Sequence, residues 1–162
     1  MKLFPLIAAL LLSITLAYIQ GTKVFDPRAD AMSDVKNAIA QALKTDKHVL
    51  VKIGYNQCPW CIKLHHLFKE DVEIDSLLKA DYVLVKVNYS KENYNQEIMT
   101  QLEFPQRFGF PVLVVLDATG KRLQTQNTLY LEKEKSYDRK RIISFLKSWN
   151  RKAIDPASYT MR

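Results

Sequence analysis

Val49-Leu50-Val51-Lys52-Ile53-Gly54-Tyr55-Asn56-Gln57-Cys58-Pro59-Trp60-Cys61-Ile62-Lys63-Leu64 runs from an apolar, β-branched stretch through a short polar turn into Cys-Pro-Trp-Cys and a helical pattern. Its cysteines are the only two in the chain. Two thiols separated by two residues can close a disulfide without moving the fold, and Pro59 suits a first helical turn, where its missing N–H is not needed. Cys58 then stands at a helix N-terminus. Unpaired backbone N–H groups and the helix dipole there favour an anion, which lowers a thiol pKa from about 8.5 toward about 7 or below. A strand leading directly into C-x-x-C on a helix is the pattern of a thiol-disulfide redox site. A purely structural bridge explains little, because closing so short a loop restricts the unfolded chain by only about 2 kcal/mol.

The chain has 162 residues, enough for one compact domain that buries a sizeable core without staples. Its net charge of +7 raises the question of nucleic acid, but the lysines are scattered among acids with no clear basic block, so no nucleic-acid partner is expected. A cationic surface of this kind acts on solubility and on encounter with acidic partners.

Residues 1–21 start with Met1-Lys2 and continue as an apolar run from Leu3 to Ala17, which reads as a secretory signal, with an uncleaved N-terminal anchor as the alternative. Either way the protein is expected to be exported, periplasmic or secreted, with membrane contact only if the segment is retained. Residues 22–151 are read as the folded domain and 152–162 as a flexible tail.

Within the domain, Ser33 is expected to cap a helix carrying Val35, Ala38, Ile39, Ala42 and Leu43 at helical spacing. His48 to Ile53 reads as a central strand and Gly54 as a turn. A helix is predicted from Pro59 to about Lys69, continuing over Val72 to Lys79 after a break at Glu70-Asp71. Tyr82 to Val87 is a second strand, parallel to the first through the helical crossover. A weak helical pattern runs through Ile98, Met99 and Leu102, and a third strand follows Pro111. Ala118-Thr119-Gly120-Lys121 forms a turn into an antiparallel return from Arg122, so the sheet is mixed. Glu132 to Ser136 reads as a loop, and a last helix from about Asp138 presents Ile142, Phe145, Leu146 and Trp149.

This order of elements resembles the thioredoxin-like superfamily, in particular the exported single-domain, disulfide isomerase-like proteins. The matching pieces are Phe25-Asp26-Pro27 with Ala29-Asp30-Ala31, Lys47 with Val49-Leu50-Val51 and Gly54, Cys58-Pro59-Trp60-Cys61, Gly109-Phe110-Pro111, and Asp117-Ala118-Thr119-Gly120-Lys121. The resemblance covers roughly residues 25–150. It implies an α/β thioredoxin fold, a three-layer α/β/α sandwich around a central mixed β-sheet. It further implies that Cys58 is the exposed nucleophile and Cys61 the buried resolving thiol. Phe110-Pro111 matches the family's cis pair, where an extended substrate segment is received by strand-like pairing. Trp60, Phe110 and Pro111 are therefore the expected substrate-binding residues, with Phe104 and Phe108 as further apolar wall.

Two positions depart from the family. Gln57 stands where a tryptophan often precedes the first cysteine, while Trp60 lies inside the motif. Thioredoxin proper carries a buried acid six residues before that cysteine, and here the residue is Lys52, with Lys86 at the position of the lysine that faces the acid. Either Lys52 or Lys86 takes over proton transfer beneath the site, or both snorkel to the sheet edge, which is the ordinary behaviour of lysine. Cys58, Cys61, His65 and His66 have partial metal-ligand spacing, but a fourth ligand is missing nearby, and no metal or other cofactor is expected.

The expected function is thiol-disulfide exchange of the reductase or isomerase type. Its partners are exported protein substrates with thiols or disulfides and a redox partner protein in the envelope. A thioredoxin-fold chaperone or adaptor, with incidental cysteines, is the rival reading, and a metal carrier is the third.

Overall fold

The computed structural model describes residues 23–160. The predicted signal or anchor, residues 1–21, lies outside them. A four-stranded sheet has the order β2-β1-β3-β4, built from β1 (His48–Gly54), β2 (Tyr82–Asn88), β3 (Val112–Leu116) and β4 (Arg122–Asn127). β2 runs parallel to β1, whereas β3 is antiparallel to both β1 and β4. The mixed sheet expected from the sequence is therefore present. β1 and β3 occupy its centre and are buried along their whole length, which is why both read as unbroken apolar runs.

Helices cover both faces. Val49, Val51 and Ile53 pack with α1 (Ala31–Thr45) and the short α4 (Gln96–Gln101). Leu50, Leu113 and Val115 face the other way, against α2 (Pro59–Glu70), α3 (Val72–Asp81) and α5 (Arg139–Ser148). The alternation of strand side chains feeds two separate apolar layers, giving the three-layer α/β/α arrangement.

Several boundaries differ from the sequence expectation for local reasons. Asp30, not Ser33, caps α1, its carboxylate accepting the Ser33 N–H at 3.1 Å. Asp71 ends α2 and caps α3, accepting from Glu73 and Ile74. The expected loop over Glu132 to Ser136 contains a small hairpin, β5 (Glu132–Lys133) with β6 (Ser136–Tyr137). Within the predicted tail a helical turn, α6 (Arg151–Ile154), and a 3-10 turn over Pro156–Ser158 continue the chain past α5. Leu43, read as part of the apolar face of α1, is exposed.

Gly54 does not serve to turn the chain. It lies within β1, and a Cβ at that position would stand 2.6 Å from Cys61 Sγ and 2.9 Å from Phe25 Cζ. Its missing side chain is what lets α2 close onto the strand. Gly120 has a positive φ, 88°, in the β3-β4 turn, the conformation that favours glycine there.

Candidate active site

The end of β1 delivers the chain through Tyr55-Asn56-Gln57 to Cys58, which is the N-cap of α2, with Pro59 in the first turn. Cys58 and Cys61 are joined in a disulfide with Cα atoms 5.2 Å apart. The Cys61 N–H donates to Cys58 Sγ at 3.1 Å. This is the capping position at which a side chain usually supplies oxygen, and sulfur occupies it here. A thiolate released at Cys58 keeps that donor and the positive end of the helix dipole, whereas Cys61 Sγ is packed against Gly54. The two cysteines differ less in exposure than the resemblance implied: Cys58 is 4% exposed and Cys61 is fully enclosed.

Phe110 closes one side of the pair. The Phe110-Pro111 peptide bond is cis, and the Phe110 carbonyl oxygen is 3.7 Å from Cys58 Sγ. Pro111 is buried, and its own carbonyl accepts from the Thr128 hydroxyl at 2.5 Å. Trp60 is brought to the same end of α2, but its ring is engaged by Tyr137, edge-on at 5.3 Å, and by Lys63, whose Nζ is 4.4 Å from the ring centroid. Phe104 and Phe108 do not join Phe110. Both are exposed, in and beside the 3-10 turn Pro105–Phe108, and Phe108 is capped by the Arg107 guanidinium. Their place beside Phe110 is taken by Tyr55 and Tyr89, at centroid distances of 5.7 and 5.0 Å.

Nothing in the sequence singles out Asn56. Its Oδ1 accepts the N–H groups of Val24 and Phe25, each at 2.9 Å, and its Nδ2 donates to the Phe25 carbonyl at 2.8 Å. One amide thereby ties the approach segment against the motif, with Val24 and Phe25 packed on the two cysteines.

Lys52 overturns the snorkelling expectation. It is completely enclosed, its Nζ has no hydrogen-bond partner among the described residues, and that nitrogen lies 5.3 Å from the Phe25 ring centroid and 5.8 Å from that of Phe68. Lys52 is in register with Lys86 on β2, but Lys86 is exposed. Burial in apolar surroundings, aided by repulsion from Lys86, pulls the Lys52 pKa down to about 7. On α2, one turn beyond Cys61, burial and then the charges of Lys52, Lys86, Lys69 and His66 hold the His65 imidazole down at about 4. The adjacent His66 turns away to pair with Glu70, Nδ1 to Oε1 at 2.8 Å. The floor of the site is thus cationic or neutral, with an amine at the position where the resemblance supplies an acid.

A mixed sheet between two helical layers, with a C-x-x-C disulfide whose first cysteine caps a helix beside a cis proline, defines a thioredoxin-fold protein. A family model described as Thioredox_DsbH, protein of unknown function DUF255, matches residues 20–156, and the chain belongs to that family. The disulphide isomerase from Xylella fastidiosa Temecula1 superposes with a TM-score of 0.70 at 25% identity, over 78% of this chain and 96% of that one. A thioredoxin from Thermus thermophilus, 21% identical with a TM-score of 0.52 over 70% of this chain and 81% of its own, shares the fold. The disulfide bond reductase DsbH of Chlamydia pneumoniae is 31% identical over 78 residues, a match spanning 43% of this chain and 45% of that protein.

Proposed function

We propose that the protein reduces or rearranges disulfides of exported proteins through Cys58 and Cys61, as a soluble or N-terminally anchored enzyme outside the cytosol. The observation that carries this reading is the Cys61 N–H on Cys58 Sγ at the start of α2, 3.7 Å from the Phe110 carbonyl. In the reduced protein the Cys58 thiolate attacks one sulfur of a substrate disulfide, and the other substrate sulfur leaves as a thiolate that takes a proton. Cys61, deprotonated, then attacks Cys58 Sγ. The second substrate sulfur leaves, and both electrons have passed from the protein to the substrate. A redox partner protein returns them. The cis Phe110-Pro111 bend holds the substrate backbone beside Cys58, and Trp60 borders the same helix end. The exported setting is supported by the apolar N-terminal run of the sequence.

Lys52 is proposed as the positioning cation and proton carrier of the resolving step, with Lys86 tuning it by charge. Lys52 precedes Gly54 by two residues, on the same face of β1, and the Phe25 ring touches both neighbourhoods. Neutral Lys52 has a free lone pair for the Cys61 proton, and its protonated form then faces a thiolate. The two charges form together, which makes each easier to bury.

The test is reduction of insulin by the reduced protein, with a Cys58→Ser control and the Cys58/Cys61 equilibrium measured against glutathione. Turnover abolished by Cys58→Ser is the expected result. Suppression of aggregation by the wild type and Cys58→Ser alike, without thiol exchange, would favour a chaperone or adaptor instead.

A further inference from the structure

The loop after β2 brings two tyrosines to the redox site. Tyr89 stacks on Phe110, with centroids 5.0 Å apart and planes 29° apart, and Tyr94 meets Tyr89 edge-on at 5.2 Å. Tyr55 meets Phe110 edge-on at 5.7 Å. These four rings border an open cavity of about 480 Å³, with Gln57, Lys91 and Glu92 at its margin. We propose that this cavity is a specificity pocket for an aromatic or large aliphatic side chain of the substrate, two residues from the cysteine under attack. The proposal rests on the thiol-disulfide reading above and adds a substrate class to it.

Three observations carry it. The first is continuity with the attacking sulfur: Phe110 contributes its ring to the pocket and its carbonyl to Cys58 Sγ, while the Tyr55 carbonyl accepts the Cys58 N–H at 3.2 Å. A segment laid along Phe110 as a strand presents its cysteine and the residue two positions away on one face, roughly 7 Å apart.

The second is that the pocket is built in advance. The Tyr89 N–H donates to the Gly54 carbonyl at 2.8 Å. Asn88 Nδ2 donates to Ser90 Oγ and to the Asn93 carbonyl, each at 3.0 Å, and Asn95 Nδ2 donates to the Asn88 carbonyl at 2.7 Å. Asn93 Nδ2 anchors the loop to the Pro27 carbonyl at 3.0 Å. A loop held by its own amides brings its tyrosines to the site with little entropy left to lose on binding.

The third is charge. The walls are aromatic, and the two charged residues at the margin, Lys91 and Glu92, are exposed and of opposite sign, so together they give the pocket no net charge to select a charged residue. Tyr94 is 42% exposed, and covering it with an apolar side chain is favourable.

The experiment uses the reduced full-length protein and short peptides whose single cysteine is activated as a 2-thiopyridyl disulfide. Cys58 attack on the peptide sulfur expels 2-thiopyridone, which is read by absorbance, and Cys61 then releases the peptide thiol. Phe, Leu, Ser or Lys is placed two residues before or after the cysteine. On at least one side, Phe and Leu peptides should react about tenfold faster than Ser and Lys peptides. In Tyr94→Ser that ratio should fall below twofold, and in Tyr94→Leu it should persist, because the apolar wall is retained. Since the ratio is taken within one variant, a general loss of reactivity cancels. Equal rates for all peptides in the wild type, or a preference surviving Tyr94→Ser, would overturn the pocket. The 2-thiopyridyl disulfide of mercaptoethanol isolates the underlying reading: no reaction with it removes the thiol-disulfide assignment itself, whereas reaction without peptide preference removes only the pocket.

Discussion

Cys61 and Gly54 are in contact across the α2-β1 interface, with the sulfur 2.6 Å from where a glycine Cβ would be. Cys61 is thus seated against bare backbone, and the close approach of helix to strand depends on a hydrogen atom at residue 54. Gly54→Ala should lower stability by about 1–3 kcal/mol through overpacking in a site that has no room to relax. It should also slow thiol exchange, because Cys61 and Phe25 must both move. Urea unfolding measures the first effect. A midpoint unchanged from wild type would show that the contact is looser than described.

The two cysteines should behave asymmetrically. Cys61→Ala removes the resolving attack and should accumulate mixed disulfides with substrate proteins, while Cys58→Ala should trap almost none. Alkylation of the reduced protein at pH 6 should label Cys58 first, since the α2 N-terminus and the Cys61 N–H stabilise its thiolate. Mass spectrometry of labelled peptides reads the order, and preferential labelling of Cys61 would reverse the roles.

Lys52 should make the protein more stable at alkaline pH. Its pKa in the folded chain, about 7, lies below the ordinary 10.5, so the native state holds fewer protons than the unfolded chain between those values. Stability rises with pH across that window, and the full burial penalty is felt below it. The groups bearing on the amine are Lys86 from β2, His65 from α2 and the rings of Phe25 and Phe68. Lys52→Met should therefore stabilise the oxidised protein by roughly 2–4 kcal/mol at pH 6 and by much less at pH 10. Denaturant midpoints across pH test this, and equal gains at both pH values would mean that the amine is not the cause. Exchange should slow in the same variant, with the pH dependence of the resolving step altered.

Asn56→Ala should cost about 2–3 kcal/mol, because two donors and one acceptor of the Val24-Phe25 backbone lose their partner together. Hydrogen exchange at Val24 and Phe25 should accelerate selectively. Uniform acceleration across the domain would indicate global destabilisation instead.

The central strands were legible because β1 and β3 are covered on both faces, so that burial alone writes an apolar run. The redox pair was legible because its chemistry is local: a cap, a proline and a second cysteine one turn on. What escaped depends on neighbours far along the chain. Nothing around Asn56 announces that its amide will meet residue 24, and the tyrosines at 55, 89 and 94 converge only after β1 and β2 pair. Phe104 and Phe108 drew attention through nearness in sequence to Phe110, yet the 3-10 turn carries both outward. Asp30 and Ser33 are both good capping types, and only the hydrogen bond between them identifies the acceptor at the start of α1. Lysine normally keeps its ammonium in water, so the apolar run leaves Lys52 open to two readings, beneath the site or snorkelling, and only the packing of Phe25 and Phe68 around it decides between them.

The amine under the disulfide has an electrochemical consequence. In a site with only sulfur to titrate, two-electron reduction above the thiol pKa of Cys58 takes up one proton, and the midpoint potential falls by about 30 mV per pH unit. In the reading proposed above Lys52 adds a second acceptor: a thiolate formed near it would favour the ammonium form against the burial that lowers its pKa, and reduction would draw another proton inside. Where that second proton is taken up the slope would steepen to about 59 mV per pH unit. Alkalinity would then make Cys58/Cys61 a stronger reductant at twice the usual rate, and ambient acidity would bear on the direction in which electrons move.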